Sequence, residues 1–311
     1  MSLSSKLEKI LDEEWGKDSD HLGFLFTSSS FLEAVDEQKT TSPVTISDDH
    51  FFVWSRVFRE QLCWIYLLQQ KLSYEVMKDE NAPDPIVIAL WSLISKICSD
   101  MFAIRHLIEG GFEVQCRSVL RSTIEYIDLA IVVCHDRDLA VQFMDAGDPE
   151  KANAFWHKNI SKGRLRRRVS EVVDEFFGVS GANFLAETRA DDDEIHSVFV
   201  HPTSVAGLIS SFGDLEAEIK YDGVLGVPTR ASTVSLRYLC SHLFHFINTC
   251  CTKLFAADQT GKRIIACDLQ NKKEYLVRTG WVRLMSIFRW ILDEQLYVEA
   301  KSPGTEDDIR S

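Results

Sequence analysis

Arg117, Arg121 and Glu125 stand at i, i+4 and i+8 within the stretch from Gly110 to Tyr126. At about 100° per residue they share one stripe of a helix whose remaining positions are strongly apolar. Guanidinium forks on such a stripe can hold an anion such as phosphate. Charges in an apolar setting also demand partners, and an internal salt-bridge network that fixes helix register accounts for the same residues. Glutamate before arginine is the better i, i+4 order in an isolated helix. Here Arg121 precedes Glu125, so the order predicts partners on neighbouring helices: an acid for Arg121, and a base or hydroxyl for Glu125.

A second group lies in Asp193–Ser204. Asp193, Ser197 and His201 share a face if the segment is a regular helix, and His196 lies off it. Aspartate, serine and histidine on one face permit general acid–base chemistry. They also suit a hydrogen-bonded helix end, where histidine complements the dipole. His242 and His245, at i, i+3, could share a metal with Cys240 or with an Asp or Glu elsewhere in the chain, but their apolar neighbours fit satisfied core histidines better. Lys162–Arg168 is the one dense basic run. It can contact a nucleic-acid backbone, or it is a solvated helix start with an acidic partner such as Asp191–Glu194. No P-loop, GxGxxG, HExxH or GxSxG motif occurs, so nothing argues for ATP hydrolysis, nicotinamide binding or zinc peptidase chemistry. No residue is assigned to a cofactor or a metal.

The elements that must position these groups are helical. Apolar spacing and capping residues predict helices over 4–15, 50–80, 85–109, 112–135, 136–144, 149–162, 164–177, 190–200, 231–257 and 281–297. A short strand is expected at 263–267, and a small irregular or hairpin insertion near 212–230. The expected fold is all-α, a multi-helix up-and-down bundle. An N-terminal extension covers 1–48, a single bundle domain 49–300, and a frayed tail 301–311.

The composition agrees: 45% apolar and 26% charged residues, with 15 Gly and 7 Pro in 311 residues, leave too few turn formers for an all-β chain. A net charge of −13 argues against general nucleic-acid coating or adhesion to anionic membranes, while leaving room for a local basic pocket. No basic leader precedes an apolar run at the start, and no uncharged run approaches the roughly 18–20 residues of a membrane span. The expectation is a soluble, cytoplasmic protein. Its eight scattered cysteines contain no CxxC pair and read as buried free thiols.

Arg105–Phe112, Cys116–Glu125 and the Ser197-x-x-x-His201-Pro202 segment together resemble a widespread bacterial family of helical proteins of unknown function. The likeness spans roughly residues 50–255. The layout is similar, more distantly, to HEPN domains, helical bundles of toxin and antiviral systems. Many of those are metal-independent ribonucleases with an arginine shortly before a histidine. Arg189 and His196 fit that form with six residues between them, and Ala190 stands where a polar residue is usual. The resemblance implies a dimer in which His196, or alternatively His201, acts as acid–base and Arg189 holds phosphate. The candidate catalytic set is His196, His201, Arg189 and Ser197, beside the Arg117–Arg121–Glu125 network. Two functions follow: a binding or self-associating module, with a second copy or another protein as partner, in a bacterial defence or stress system; or a HEPN-like ribonuclease acting on RNA.

Overall fold

The computed structural model describes residues 2–17, 49–78, 83–177, 230–257 and 263–294. Among them are nine helices and no strand, so the fold is all-α. In chain order they are α1 Leu3–Gly16, α2 Asp49–Met77, α3 Pro85–Glu109, α4 Glu113–His135, α5 Arg137–Asp145, α6 Pro149–Asn159, α7 Arg164–Phe177, α8 Arg230–Phe255 and α9 Lys272–Asp293. The segments around 190–200 and 212–229, most of the 1–48 extension and the 301–311 tail lie outside the described residues.

Local chemistry sets the boundaries. Asp84 caps α3 by accepting from the Ile86 amide at 2.9 Å, with Pro85 at the first helical position. Asp136 and Asp148 cap α5 and α6 in the same way. Between α3 and α4, Gly111 takes φ 69° and the Phe112 amide reaches back to the Leu107 carbonyl at 2.8 Å, a tight reversal that glycine permits.

Four long helices close a ring in the order α2, α3, α4, α8, and every neighbouring pair packs extensively. The first three alternate in direction. α8 instead runs alongside α4 in the same sense: Glu113 meets Ser232 and Ser235, Asp128 meets His242, and His135 meets Thr249. Leu62, Leu93, Ile127 and Leu243, one from each helix, are fully buried inside the ring. α3 is long and apolar enough to cross a membrane by length and composition, a property its scattered charges obscure in the sequence. It lies between α2 and α4 with Leu90, Leu93, Ile94 and Met101 in the core, as a central bundle helix requires.

α9 covers α2 and begins nine residues before the expected start at 281. Asn271 accepts from the Lys273 and Glu274 amides and starts it. Gly280 does not break it, because the Trp64 indole fills the space a side chain would take and donates to the Val277 carbonyl at 3.0 Å. No strand forms at 263–267, where the Ile265 amide donates to the Leu254 carbonyl at the end of α8. Lys71, itself buried, bridges α2 and α9 through Glu75 and Glu274, each at 2.7 Å.

α1 is docked on the bundle, with Leu7 and Leu11 in the common core and Lys6 paired with Glu294 at 2.8 Å. Asp49, the first residue of α2, receives the Leu3 and Ser4 amides at the start of α1. Burial works to raise its pKa, but the Ser4 and Leu3 hydrogen bonds outweigh it and hold the carboxyl below the ordinary range. A depressed folded pKa gives stability that is complete above the unfolded value of about 3.9 and is lost as pH falls through the folded value. Hydrogen exchange at the Ser4–Lys6 amides is therefore expected to accelerate below about pH 4 relative to α3, and an Asp49→Asn variant should show that fast exchange at neutral pH. Equal exchange in the two proteins at pH 7 would remove this carboxylate from the docking of α1.

Candidate functional site

The α4 stripe is longer than its three expected members. Glu113 stands four residues before Arg117, and Asp128 lies three after Glu125, so both continue the same face. Its two ends differ. At the N-terminal end Arg117 Nε donates to Glu113 at 2.9 Å, and Ser232 and Ser235 of α8 donate to the same carboxylate. Arg117 is 4% and Glu113 3% exposed, so this is a sealed ionic seat joining two parallel helices.

The other end opens. Arg121 pairs with Glu125 inside its own helix at 2.9 Å, in place of the expected acid on a neighbour. Both side chains are partly exposed, at 26% and 42%, so water lowers the cost of the less favourable order. The cross-helix bonding expected of this stripe is carried one turn earlier, by Glu113.

Arg121, Glu125 and Asp128 line one wall of a cleft of about 310 Å³. Trp156 of α6 and Arg166 of α7 line others, His242 of α8 completes the set, and the α6–α7 turn contributes Ser161, Lys162 and Gly163. His242 Nδ1 lies 3.7 Å from Asp128 Oδ1, an electrostatic contact rather than a hydrogen bond, and both side chains are buried. The Tyr238 ring packs edge-on against the imidazole at 4.6 Å and restrains its orientation.

The turn beside the cleft is strained. Lys162 has φ 56° and Gly163 φ 73°. A left-handed conformation costs a non-glycine residue about 1–2 kcal/mol. The basic run is otherwise tied down: Arg164 donates to the His157 carbonyl at 2.7 Å, and Arg168 pairs with Asp136 at 2.9 Å. Arg166 lies at the cleft. The suggested acidic partner, Asp191–Glu194, lies outside the described residues.

So do the catalytic candidates Arg189, His196, Ser197 and His201. Of the sequence-derived groups, the structure brings Arg121, Glu125, Lys162, Arg166 and His242 to the cleft, leaves Arg117 in the sealed seat, and adds Asp128 and Trp156. Extending the stripe's period by three residues would have found Asp128. Placing His242 beside it requires knowing that α8 lies against α4.

His242 and His245 are both buried, with ring centroids 6.5 Å apart. Among the described residues the ligand atoms that converge belong instead to Cys134, His135 and Cys250, all within 4.8 Å of one another. Burial, then Lys253, pushes the His135 imidazole below its ordinary pKa, opposed by its bond to the Thr249 carbonyl and by Glu175. The cysteines are free thiols, and all but the half-buried Cys267 are buried. Compared with protein-family models, with curated proteins and with solved structures, the chain finds no match.

Proposed function

We propose that this protein is a helical binding module whose cleft between α4, α6, α7 and α8 takes a phosphate-bearing ligand. The observation that carries the reading is the cleft itself: Arg121, Lys162 and Arg166 stand around a volume that fits a small anionic group, and one of them is held in a conformation that lysine pays for. Glycine would hold that turn without strain, so the lysine side chain is the reason to keep it. Self-association belongs to the same proposal, supported by the exposed apolar side chains Val141 and Met144 of α5. A bacterial defence or stress setting is the part of the proposal that rests on the distant likeness to HEPN domains, and a soluble, cytoplasmic one rests on the charge and hydropathy of the sequence.

Calorimetric titration with inorganic pyrophosphate and with a short RNA tests it. Arg121→Ala with Arg166→Ala is expected to weaken binding by about tenfold or more, the loss of one charge-assisted contact of about 1.5–3 kcal/mol being enough. Lys162→Gly should also weaken binding, while leaving stability unchanged or raising it by up to about 1 kcal/mol. No saturable binding of either probe would sink the reading. Light scattering giving a strict monomer at all concentrations would remove self-association.

The Asp128–His242 pair favours a second reading, a metal-independent ribonuclease of HEPN type with Arg121 or Arg166 on phosphate and an imidazole as general base. Arg189, His196, Ser197 and His201 remain its candidates from the family likeness. RNA cleavage in chelator, lost in His242→Ala and in His196→Ala with helical content retained, is the expected result. Intact RNA with the wild-type protein would dismiss it.

A further inference from the structure

Cys134 and His135 end α4, and Cys250 lies on α8 beside them. Two sulfurs and an imidazole nitrogen, all within 4.8 Å of one another, come from helices that the rest of the fold already holds in register. We infer that Cys134, His135 and Cys250 form a binding site for a single thiophilic d10 metal ion, Zn2+ or Cu+.

Three features of the site support this. The donor set is the soft one: thiolate and imidazole select zinc and monovalent copper over the hard cations that carboxylates bind. His135 Nε2 lies 2.9 Å from the Thr249 carbonyl oxygen. That oxygen can only accept, so Nε2 carries the proton and Nδ1 the lone pair. An ion held through Nδ1 would keep this bond, and a ligating histidine anchored through its other nitrogen to a backbone carbonyl is the usual outer-shell arrangement. The Phe176 ring, edge-on at 5.1 Å, further restrains the imidazole.

Charge fits as well. A dication displaces the protons of the two thiols to solvent, and two thiolates with one neutral imidazole leave the buried complex without net charge. A monocation leaves one negative charge, and Lys253, whose ammonium lies 3.4 Å from the His135 carbonyl, stands close enough to offset it. Both cysteines are fully buried while His135 is half-buried, so an ion would enter from the histidine side. The site is separate from the phosphate cleft, so its failure leaves that reading untouched.

The test uses the reduced full-length chain. Titration with Co2+ is expected to give a sulfur-to-cobalt charge-transfer band that saturates at one equivalent and disappears on addition of Zn2+. A parallel anaerobic titration with Cu+ against a competing chelator identifies the preferred ion. Cys134→Ser and Cys250→Ser should each abolish the band, and His135→Gln should weaken affinity by at least about tenfold. Cys98→Ser, at a buried thiol elsewhere on α3, should change nothing. Independently of any variant, the wild-type Tm should rise with metal, because an ion bound only by the folded chain stabilises it. Absence of the band together with an unchanged Tm would overturn the proposal. So would a band that persists in Cys134→Ser, or mass spectrometry finding Cys134 and Cys250 joined as a disulfide when the protein is isolated without oxidant.

Discussion

Glu113→Ala is expected to destabilise the protein by about 3–5 kcal/mol, the usual consequence of removing one member of a buried ion pair. The carboxylate does three things at once: it neutralises Arg117, and it accepts the hydroxyls of Ser232 and Ser235 across the α4–α8 interface. Its loss parts a buried ion pair at a guanidinium that is 4% exposed and takes away the acceptor of two buried hydroxyls. Urea unfolding with an unchanged m-value is the measurement. Glu113→Leu combined with Arg117→Met removes both charges at similar volume and should recover most of the loss, because the cost lies in breaking a buried ion pair rather than in lost packing. A single variant within about 1 kcal/mol of wild type would show that water reaches the seat as it reaches an exposed pair.

Gly280→Ala is expected to destabilise by about 1–3 kcal/mol, against a helix-propensity gain of about 1 kcal/mol in the opposite direction. A Cβ at position 280 would stand 2.7 Å from Trp64 Cδ1, closer than packed carbons approach. The indole cannot withdraw freely, since its Nε1 is bonded to the Val277 carbonyl in the same helix and the residue is buried. The control is a double-mutant cycle. In a Trp64→Leu background, where the ring is gone, Gly280→Ala should become neutral or stabilising, and the coupling between the two changes should exceed about 0.5 kcal/mol. Additive effects would mean that the glycine is there for some reason other than the tryptophan.

The sequence discloses most helices because their ends are written in local chemistry: Asp84-Pro85, Asp148-Pro149 and Gly110-Gly111 work through caps and φ preferences that need no tertiary partner. Where the determinant is tertiary, the reading shifts. The charged run from Lys272 with an interior glycine reads as loop until Trp64 is known to lie against it, so α9 is placed nine residues late. The site divides in the same way. Glu113 and Asp128 were within reach, since they obey the period that identified Arg117, Arg121 and Glu125. The choice of Arg121 partner was not, because it depends on how much water reaches that turn. Nor was the meeting of Asp128 with His242, or of Cys134 and His135 with Cys250, because each requires the direction of α8. His242, Cys240 and His245 are close in sequence, but across the bundle parallel helices bring a different trio of ligand atoms together.

That parallel arrangement bears on how the chain folds. The α2–α3 and α3–α4 pairings are hairpin contacts that form within a few turns of the chain. The α4–α8 interface, by contrast, joins residues such as Glu113 and Ser232 that are 119 positions apart. Loop closure over that distance raises the contact order above what the hairpin pairings alone would give, and higher contact order slows folding. During synthesis the first three helices of the ring emerge long before α8. For that interval the apolar face of α4 and the Glu113–Arg117 pair are uncovered, and α8 both completes the core and ends the exposure that makes such intermediates prone to aggregate.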